Sequence, residues 1–451
     1  MIRRIAFGFT AALALATFLW LRQSHRPNVL IISVDALRAD ALSSYGGTTS
    51  RTPQMDALAS AGVLFRQAVC DVPWTRPSLA TLLTGRDAAT HRVRSHIDRL
   101  RADLPMLPEV FQAAGYRTQA IVSAFELDSI YRLDRGFFGY DDTFVDPIVA
   151  AAGDRVHMAS VYFGDASKDR SFRHSKLEID AMRPDQQTAD AAVGFLRREG
   201  GQPFFLWVHF FGPRERWPSG ATPEMLVPAY PKGVEATDAQ VGRVLQTLAQ
   251  LGLQNRTIVV LHGTNGQSLT EHDLFGHGTD LYEPSLRVPL ILSWPGHLPA
   301  GKQVAALASL ADVSPTVTEM ASLRPQEMTD GRSLLRLMDA PDSGDRRLYI
   351  ETFVLAHAKL SQVARAPGEA EQRFGTAVRG MRTQRWKYIR SEPHGLIDLG
   401  YPAIVSDELR RSRRREELYD LQADPSESVN LVEREPEMAR DFSRWVDDHV
   451  K

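Results

Sequence analysis

The chain has 451 residues, 43% of them apolar and 24% charged, with a formal net charge of −2 and a single cysteine. Its length exceeds one small core and suits a large domain with a smaller companion. The near-neutral balance excludes nucleic acid as the main partner, since phosphate backbones need a basic surface, and the lone Cys70 excludes a disulfide framework and a cysteine-built zinc site.

The N-terminus reads as an address. Arg3 and Arg4 precede an uncharged apolar run over 5–21, and Arg22 and Arg26 close it. A helix of that length spans about 25 Å, slightly short of a roughly 30 Å hydrocarbon core. Residues 1–26 are therefore expected to be an uncleaved membrane anchor. The alternative is a signal sequence cut near Ala14-Leu15-Ala16, giving a secreted protein, but apolar residues continue past that point to Trp20 and Leu21. The basic excess before the run puts the folded part on the extracytoplasmic side.

Beyond it, apolar runs alternate with helix-period segments, the pattern of βαβ units around a mainly parallel sheet. Residues 28–34 make a short buried strand ending before Asp35. Pro53 starts a helix with Met55, Leu58, Ala59 and Val63 on its apolar face. Further strands are expected at 117–123, 204–210, 257–261 and 288–293, and an amphipathic helix at 238–251. The polar stretch 139–183 reads as a surface insertion. Ligands of open parallel sheets collect at the carboxyl ends of strands. Asp35, His209 and the segment His262 to Asn265 all fall there, so one shared site is expected.

Four stretches resemble the motifs of the sulfatase family, part of the alkaline phosphatase superfamily. Residues 28–40 resemble the first metal-binding motif, with Asp35 at the metal-binding Asp. Residues 73–86, Pro-Trp-Thr-Arg-Pro-Ser-Leu and on to Thr84-Gly85-Arg86, resemble the nucleophile motif. Residues 205–214 resemble the strand that ends in His and then Asp-Pro-His. Residues 257–294 resemble the second metal motif with its Gly-His-Gly, here Gly276-His277-Gly278. Asp330 to Leu335 resembles the family's domain junction, and 417–431 its C-terminal ending. The resemblance implies an α/β fold: a large alkaline-phosphatase/sulfatase-like domain over 27–335, its mainly parallel sheet sandwiched by helices, plus a smaller C-terminal α+β subdomain over 336–451.

It also implies a divalent cation such as calcium, magnesium or manganese, which polarises the ester and activates the nucleophile. The ligand letters, however, are changed. Thr264 and Asn265 stand where the family has its metal-binding Asp and His, and Gln267 where it has Glu. Gly212 and Arg214 replace the Asp and His of Asp-Pro-His. Thr75 takes the place of the Cys or Ser that becomes formylglycine, and Leu79 that of the supporting Arg. Threonine does not undergo that conversion. Asp35, His209 and His277 remain, together with Thr75 as a candidate nucleophile. One carboxylate is a thin shell for a hard cation wanting six or more oxygens. Arg76 and Arg214 instead offer fixed charge and a fork for a sulfate, phosphate or carboxylate.

Three readings follow. The first is a membrane-anchored sulfatase-family pseudoenzyme that needs no cofactor and binds an anionic small molecule, glycan or lipid headgroup in the old pocket. The second is an active sulfuric- or phosphoric-ester hydrolase or transferase using Thr75 and a divalent cation. The third is a structural module of an envelope complex. Arg410, Arg411, Arg413, Arg414 and Arg415 form a basic run suited to solvent or to anionic headgroups.

Overall fold

The computed structural model describes residues 26–94, 98–144, 182–214, 222–324, 329–339, 344–355, 375–391 and 416–450. All but the last residue of the expected anchor over 1–26, most of the insertion and the basic run 410–415 lie outside these residues. Among the described residues no helix is long and apolar enough to cross a membrane.

Strand β1 (Asn28–Val34) is buried along its whole length, as is β5 (Phe204–Phe210) and β6 (Thr257–Gly263). Strands covered on both faces read as continuous apolar runs because neither side meets water. The other members of their sheet are β2 (Val63–Val69), β3 (Arg117–Ile121), β4 (Gly139–Asp141), β9 (Leu290–Ser293) and β10 (Lys302–Ser309), while β7 (Ser268–Leu269) and β8 (Phe275–Gly276) pair only with each other. The eight strands run in the order β10-β2-β9-β6-β1-β5-β3-β4. Pairing is parallel except for β9, which is antiparallel to both neighbours.

Alternation along the strands sorts side chains into two layers. Val29, Ile31, Phe205, Trp207, Ile258 and Val260 face α2 (Thr75–Thr84), α3 (Leu107–Ala113) and α6 (Val313–Met320). Leu30, Ile32, Val34, Leu206 and Val208 face α1 (Pro53–Ser60), α4 (Asp185–Glu199) and α5 (Tyr230–Gln250). The expected helix at 238–251 thus starts earlier, at Tyr230, with Pro231 in its first turn. The Tyr230 hydroxyl donates to the Ala36 carbonyl at 2.8 Å, which fixes that end beside β1.

Val63 corrects one expectation. It opens β2 and is not the last apolar position of α1, which ends at Ser60. Gly62 lies so close to β9 that a Cβ there would meet the Leu292 carbonyl at 2.2 Å, so the chain turns from helix to strand at a residue with no side chain.

A second, antiparallel sheet follows in the order β11 (Leu348–Leu355), β12 (Gly375–Arg382), β13 (Trp386–Ser391) and β14 (Glu416–Asp420). The C-terminal helix α7 (Pro436–Val450) covers one face through Ala439, Phe442 and Val446. Ile350, Ile389 and Tyr419 join the core of the first sheet. The short helix Leu334–Met338 spans the expected boundary at residue 335. A buried pair, Arg346 Nη2 to Asp312 Oδ1 at 2.6 Å, ties the end of β10 to the approach to β11.

Candidate functional site

The site is built where β1, β5, β6 and the first turn of α2 end together. Asp35 follows β1, and its N–H donates to the Phe210 carbonyl at 3.0 Å. Ala36 then turns through a left-handed conformation, φ 50°. Thr264 follows β6, and its N–H donates to the Val34 carbonyl at 2.9 Å. Thr75 is the first residue of α2. Its hydroxyl donates to Asp35 Oδ1 at 2.7 Å. The Thr264 hydroxyl lies 3.0 Å from the same oxygen and 2.9 Å from Asn265 Oδ1.

The other carboxylate oxygen, Oδ2, accepts from Arg214 Nη2. Arg214 comes from a single 3-10 turn, Gly212–Arg214, just after β5. Gly212 has φ +73°, and a Cβ there would lie 2.7 Å from the Asp35 carbonyl and 2.8 Å from Val34 Cγ1. Gly233 of α5 makes an equally close approach to Pro213. Two glycines thus press this turn against β1 and α5, and Arg214 reaches Asp35 as a result.

Asp35 is fully buried, which by itself raises a carboxyl pKa. The Arg214 charge, followed by His277 and His209, outweighs burial and holds the group well below the usual carboxylate range. Burial pushes His277 down to about 3, and Arg214 adds to the effect. Burial does the same to His209, also to about 3, against the pull of Asp35. Both imidazoles are therefore neutral near pH 7. His277 Nδ1 lies 2.7 Å from Gln267 Oε1, and the ring edge packs on Trp74 at 5.4 Å between centroids. His209 Nδ1 lies 3.0 Å from Ser33 Oγ.

The structure brings Asp35, Thr75, Arg214, Thr264, Asn265, His209 and His277 to one place. Arg76 differs. Its Nε donates to the Glu126 carbonyl at 2.5 Å and its Nη1 to the Asp98 carbonyl at 3.2 Å, and its guanidinium lies 3.2 Å over the Tyr131 ring. Neighbours on a helix point about 100° apart, so the turn that aims Thr75 at Asp35 aims Arg76 elsewhere. His262 shares the sheet face of Ser33 and His209 by register. Its ring nitrogen bonds the Gly263 carbonyl at 2.9 Å. Cys70 is buried, and burial raises its thiol pKa.

Sequence reasoning missed Ser33 and Glu126. A polar residue near the carboxyl end of a doubly buried strand was the available signal for Ser33. Glu126 lies in a 3-10 turn with no periodicity to expose it; its buried carboxyl is raised by burial and feels both Arg214 and Asp35.

The donor set does not fit a hard divalent cation. Among the described residues no group of three or more His, Cys, Asp or Glu side chains is arranged to hold a metal. The carboxylate that the family resemblance assigns to metal already carries a guanidinium, whose charge repels a second cation.

The paired sheets, with helices on both faces of the larger one, have the architecture of solved sulfatases. One neighbour, described in complex with its substrate D-glucosamine-2-N,6-O-disulfate, superposes with a TM-score of 0.66 at 19% identity, covering 94% of this chain and 97% of that one. The phosphonate monoester hydrolase of Agrobacterium radiobacter gives 0.67 at 22% identity, covering 94% and 95%. The sulfatase family model matches residues 27–323, and that of the N-sulphoglucosamine sulphohydrolase C-terminal region matches 270–394. The chain belongs to the sulfatase family. It is 25% identical to a sulfatase of Formosa agariphila over 74% of this chain and 76% of the relative. It is 27% identical to the N-acetylgalactosamine-6-sulfatase of Rattus norvegicus over 72% and 68%.

Proposed function

We propose that this chain is a membrane-anchored sulfatase-family protein whose strand-end site binds an anionic group without turning an ester over. The observation that carries this reading is the Arg214 guanidinium on Asp35. A protein cation there takes over the charge neutralisation that a divalent ion provides in the family resemblance. The site gains a fixed guanidinium while losing the Lewis acid and the means to lower a nucleophile's pKa.

The nucleophile position is equally quiet. The Thr75 hydroxyl donates to Asp35, a carboxylate held far below the range of a useful general base. Among the described residues Thr75 makes no bond to a histidine. An ester oxyanion would meet Arg214, His209 and Gln267 instead. Relatives that act on sulfated sugars and a neighbour that hydrolyses phosphonate monoesters support a sulfated or phosphorylated glycan or lipid headgroup as the ligand class. The apolar run over 5–21 supports a position at the membrane with the fold on the extracytoplasmic side.

The test is thermal. At fixed ionic strength, sulfate or phosphate raises the melting temperature, because a ligand at a hundredfold excess over its Kd adds about 2.7 kcal/mol. Arg214→Ala removes most of that rise. A rise that survives in Arg214→Ala contradicts the arginine site. Hydrolysis of aryl sulfates or phosphates by the parent, abolished by Thr75→Val, contradicts the absence of turnover.

A further inference from the structure

A second polar cavity lies near the edge of the large sheet, away from Asp35. It has a volume of about 430 Å³ and is lined by Arg332, Asp345, Arg346, Arg347 and Trp445. Its walls come from three parts of the chain: the junction before the short helix Leu334–Met338, the approach to β11, and α7. Asp312 organises one wall. Its Oδ1 accepts from the Arg332 backbone N–H at 2.7 Å and from Arg346 Nη2 at 2.6 Å, and its Oδ2 accepts from Arg346 Nη1 at 2.7 Å. Strand β10 stands four places from β1 in the sheet, so this cavity and the strand-end site are on the order of 20 Å apart.

The charged groups of the cavity differ in what already holds them. Arg346 is buried and spent on Asp312. Arg347 gives Nη2 to Asp441 Oδ2 at 3.1 Å, and among the described residues its other nitrogens have no hydrogen-bond partner. Arg332 uses only its backbone N–H; its guanidinium makes no hydrogen bond or ion pair among the described residues. The Asp345 carboxylate is equally free among them, and both residues are exposed. Opposite charges that share a cavity without bonding each other leave both open to a ligand. A guanidinium fork matches the oxygens of a sulfate or phosphate. A carboxylate only accepts, so it matches hydroxyl groups. Trp445 adds an apolar wall, and its ring is held by stacking on His449 at 4.8 Å between centroids. An aromatic wall with a few placed polar groups, in a space of this size, is the usual form of a small-molecule site.

We propose that this cavity is a second binding site, and that it takes a sugar bearing a sulfate or phosphate group. The anion sits on Arg332 and Arg347, the hydroxyls on Asp345, and the carbon face of the ring against Trp445. A bare anion feels the repulsion of Asp345 and leaves the indole uncovered. A neutral sugar leaves both arginines without a counter-charge. A ligand with both parts uses all four residues. The site depends neither on Arg214 nor on the strand-end reading.

The test reads the cavity locally. The full chain is labelled with fluorotryptophan, and the Trp445 signal among the seven tryptophans is assigned by its loss in Trp445→Phe. The probes are glucose 6-sulfate, glucose and methyl sulfate, titrated at fixed ionic strength. We expect glucose 6-sulfate to shift the Trp445 signal equally in the parent and in Arg214→Ala, and glucose and methyl sulfate to bind at least about tenfold more weakly. Arg332→Ala weakens glucose 6-sulfate by about tenfold. Asp345→Ala weakens it too, yet strengthens methyl sulfate by removing a repulsion. Both replaced side chains are exposed, so the core is untouched. No shift with glucose 6-sulfate, or binding that survives Arg332→Ala, overturns the site. A shift that Arg214→Ala abolishes belongs to the strand-end pocket and overturns it as well. Methyl sulfate binding as tightly as glucose 6-sulfate, or Asp345→Ala strengthening both, overturns the sugar as ligand.

Discussion

Two buried aspartate–arginine pairs sit at the carboxyl ends of strands in the same sheet, Asp312–Arg346 beyond β10 and Asp35–Arg214 beyond β1. Around Asp312 both carboxylate oxygens are fully matched. Arg346 reaches both carboxylate oxygens, at 2.7 and 2.6 Å, and the Leu307 carbonyl at 3.2 Å. The N–H groups of Ser309 and Arg332 complete the carboxylate at 2.8 and 2.7 Å. Asp35 is also saturated, by Arg214, Thr75 and Thr264. Its surroundings are not, since His209 Nε2 and Gln267 Nε2 are buried without protein partners. The same ion pair therefore serves two ends. Where the second ring of groups is satisfied the pair joins two sheets; where it is left open, buried polar groups stand without protein partners beside the pair.

Removing each arginine sharpens that contrast most. Arg346 is 3% exposed and Asp312 0%, so Arg346→Ala strands a buried charge and is expected to cost about 3–5 kcal/mol in urea unfolding. Arg214 is 20% exposed, and two threonine hydroxyls stay on Asp35. Arg214→Ala should cost clearly less while abolishing the anion response. Equal losses would make both pairs structural.

Acid comes next in size. His209 and His277 have folded pKa values depressed from 6.5 to about 3. Between those limits the unfolded chain binds more protons, so the stability they contribute is complete above about 6.5 and drains away as pH falls. Asp35, also depressed, adds its own loss below about pH 4. The urea midpoint is expected to drop from about pH 6 downward, by about 1 kcal/mol per pH unit per histidine. Replacing both histidines with glutamine should flatten the upper part of that slope. A slope unchanged by the replacement would place the acid sensitivity elsewhere.

The smallest test compares two left-handed glycines, one beside each pair. Gly344 has φ +59° and open space where a Cβ would go, whereas at Gly212 a Cβ collides with the Asp35 backbone. Gly344→Ala should cost about 1 kcal/mol. Gly212→Ala should cost more and weaken anion binding by moving Arg214. Matching costs would mean that the turn carrying Arg214 is not clamped.

Much of this was legible in the chain. Strands β1, β5 and β6 announce themselves because both faces are buried, and the residues at their ends fall together because parallel strands share a direction. The strand β10 was not legible: Lys302, Gln303 and three alanines at an edge carry little apolar signal. Nor was the Arg214–Asp35 contact, which joins positions 179 apart and depends on how a glycine turn packs against β1. Arg76 misled because sequence adjacency to Thr75 suggests spatial agreement, which helix geometry denies. That same turn argues against simple repair of the metal site, since Gly212→Asp puts a Cβ where the Asp35 carbonyl already lies.

Metal content tests the central claim most directly. Arg214 stands as the counter-charge of Asp35, so the purified chain, dialysed and subjected to elemental analysis, should hold no stoichiometric calcium, magnesium, manganese or zinc, and Asp35→Ala should leave that result unchanged. One equivalent of a divalent metal per chain, lost on Asp35→Ala, would contradict the replacement of the metal by arginine.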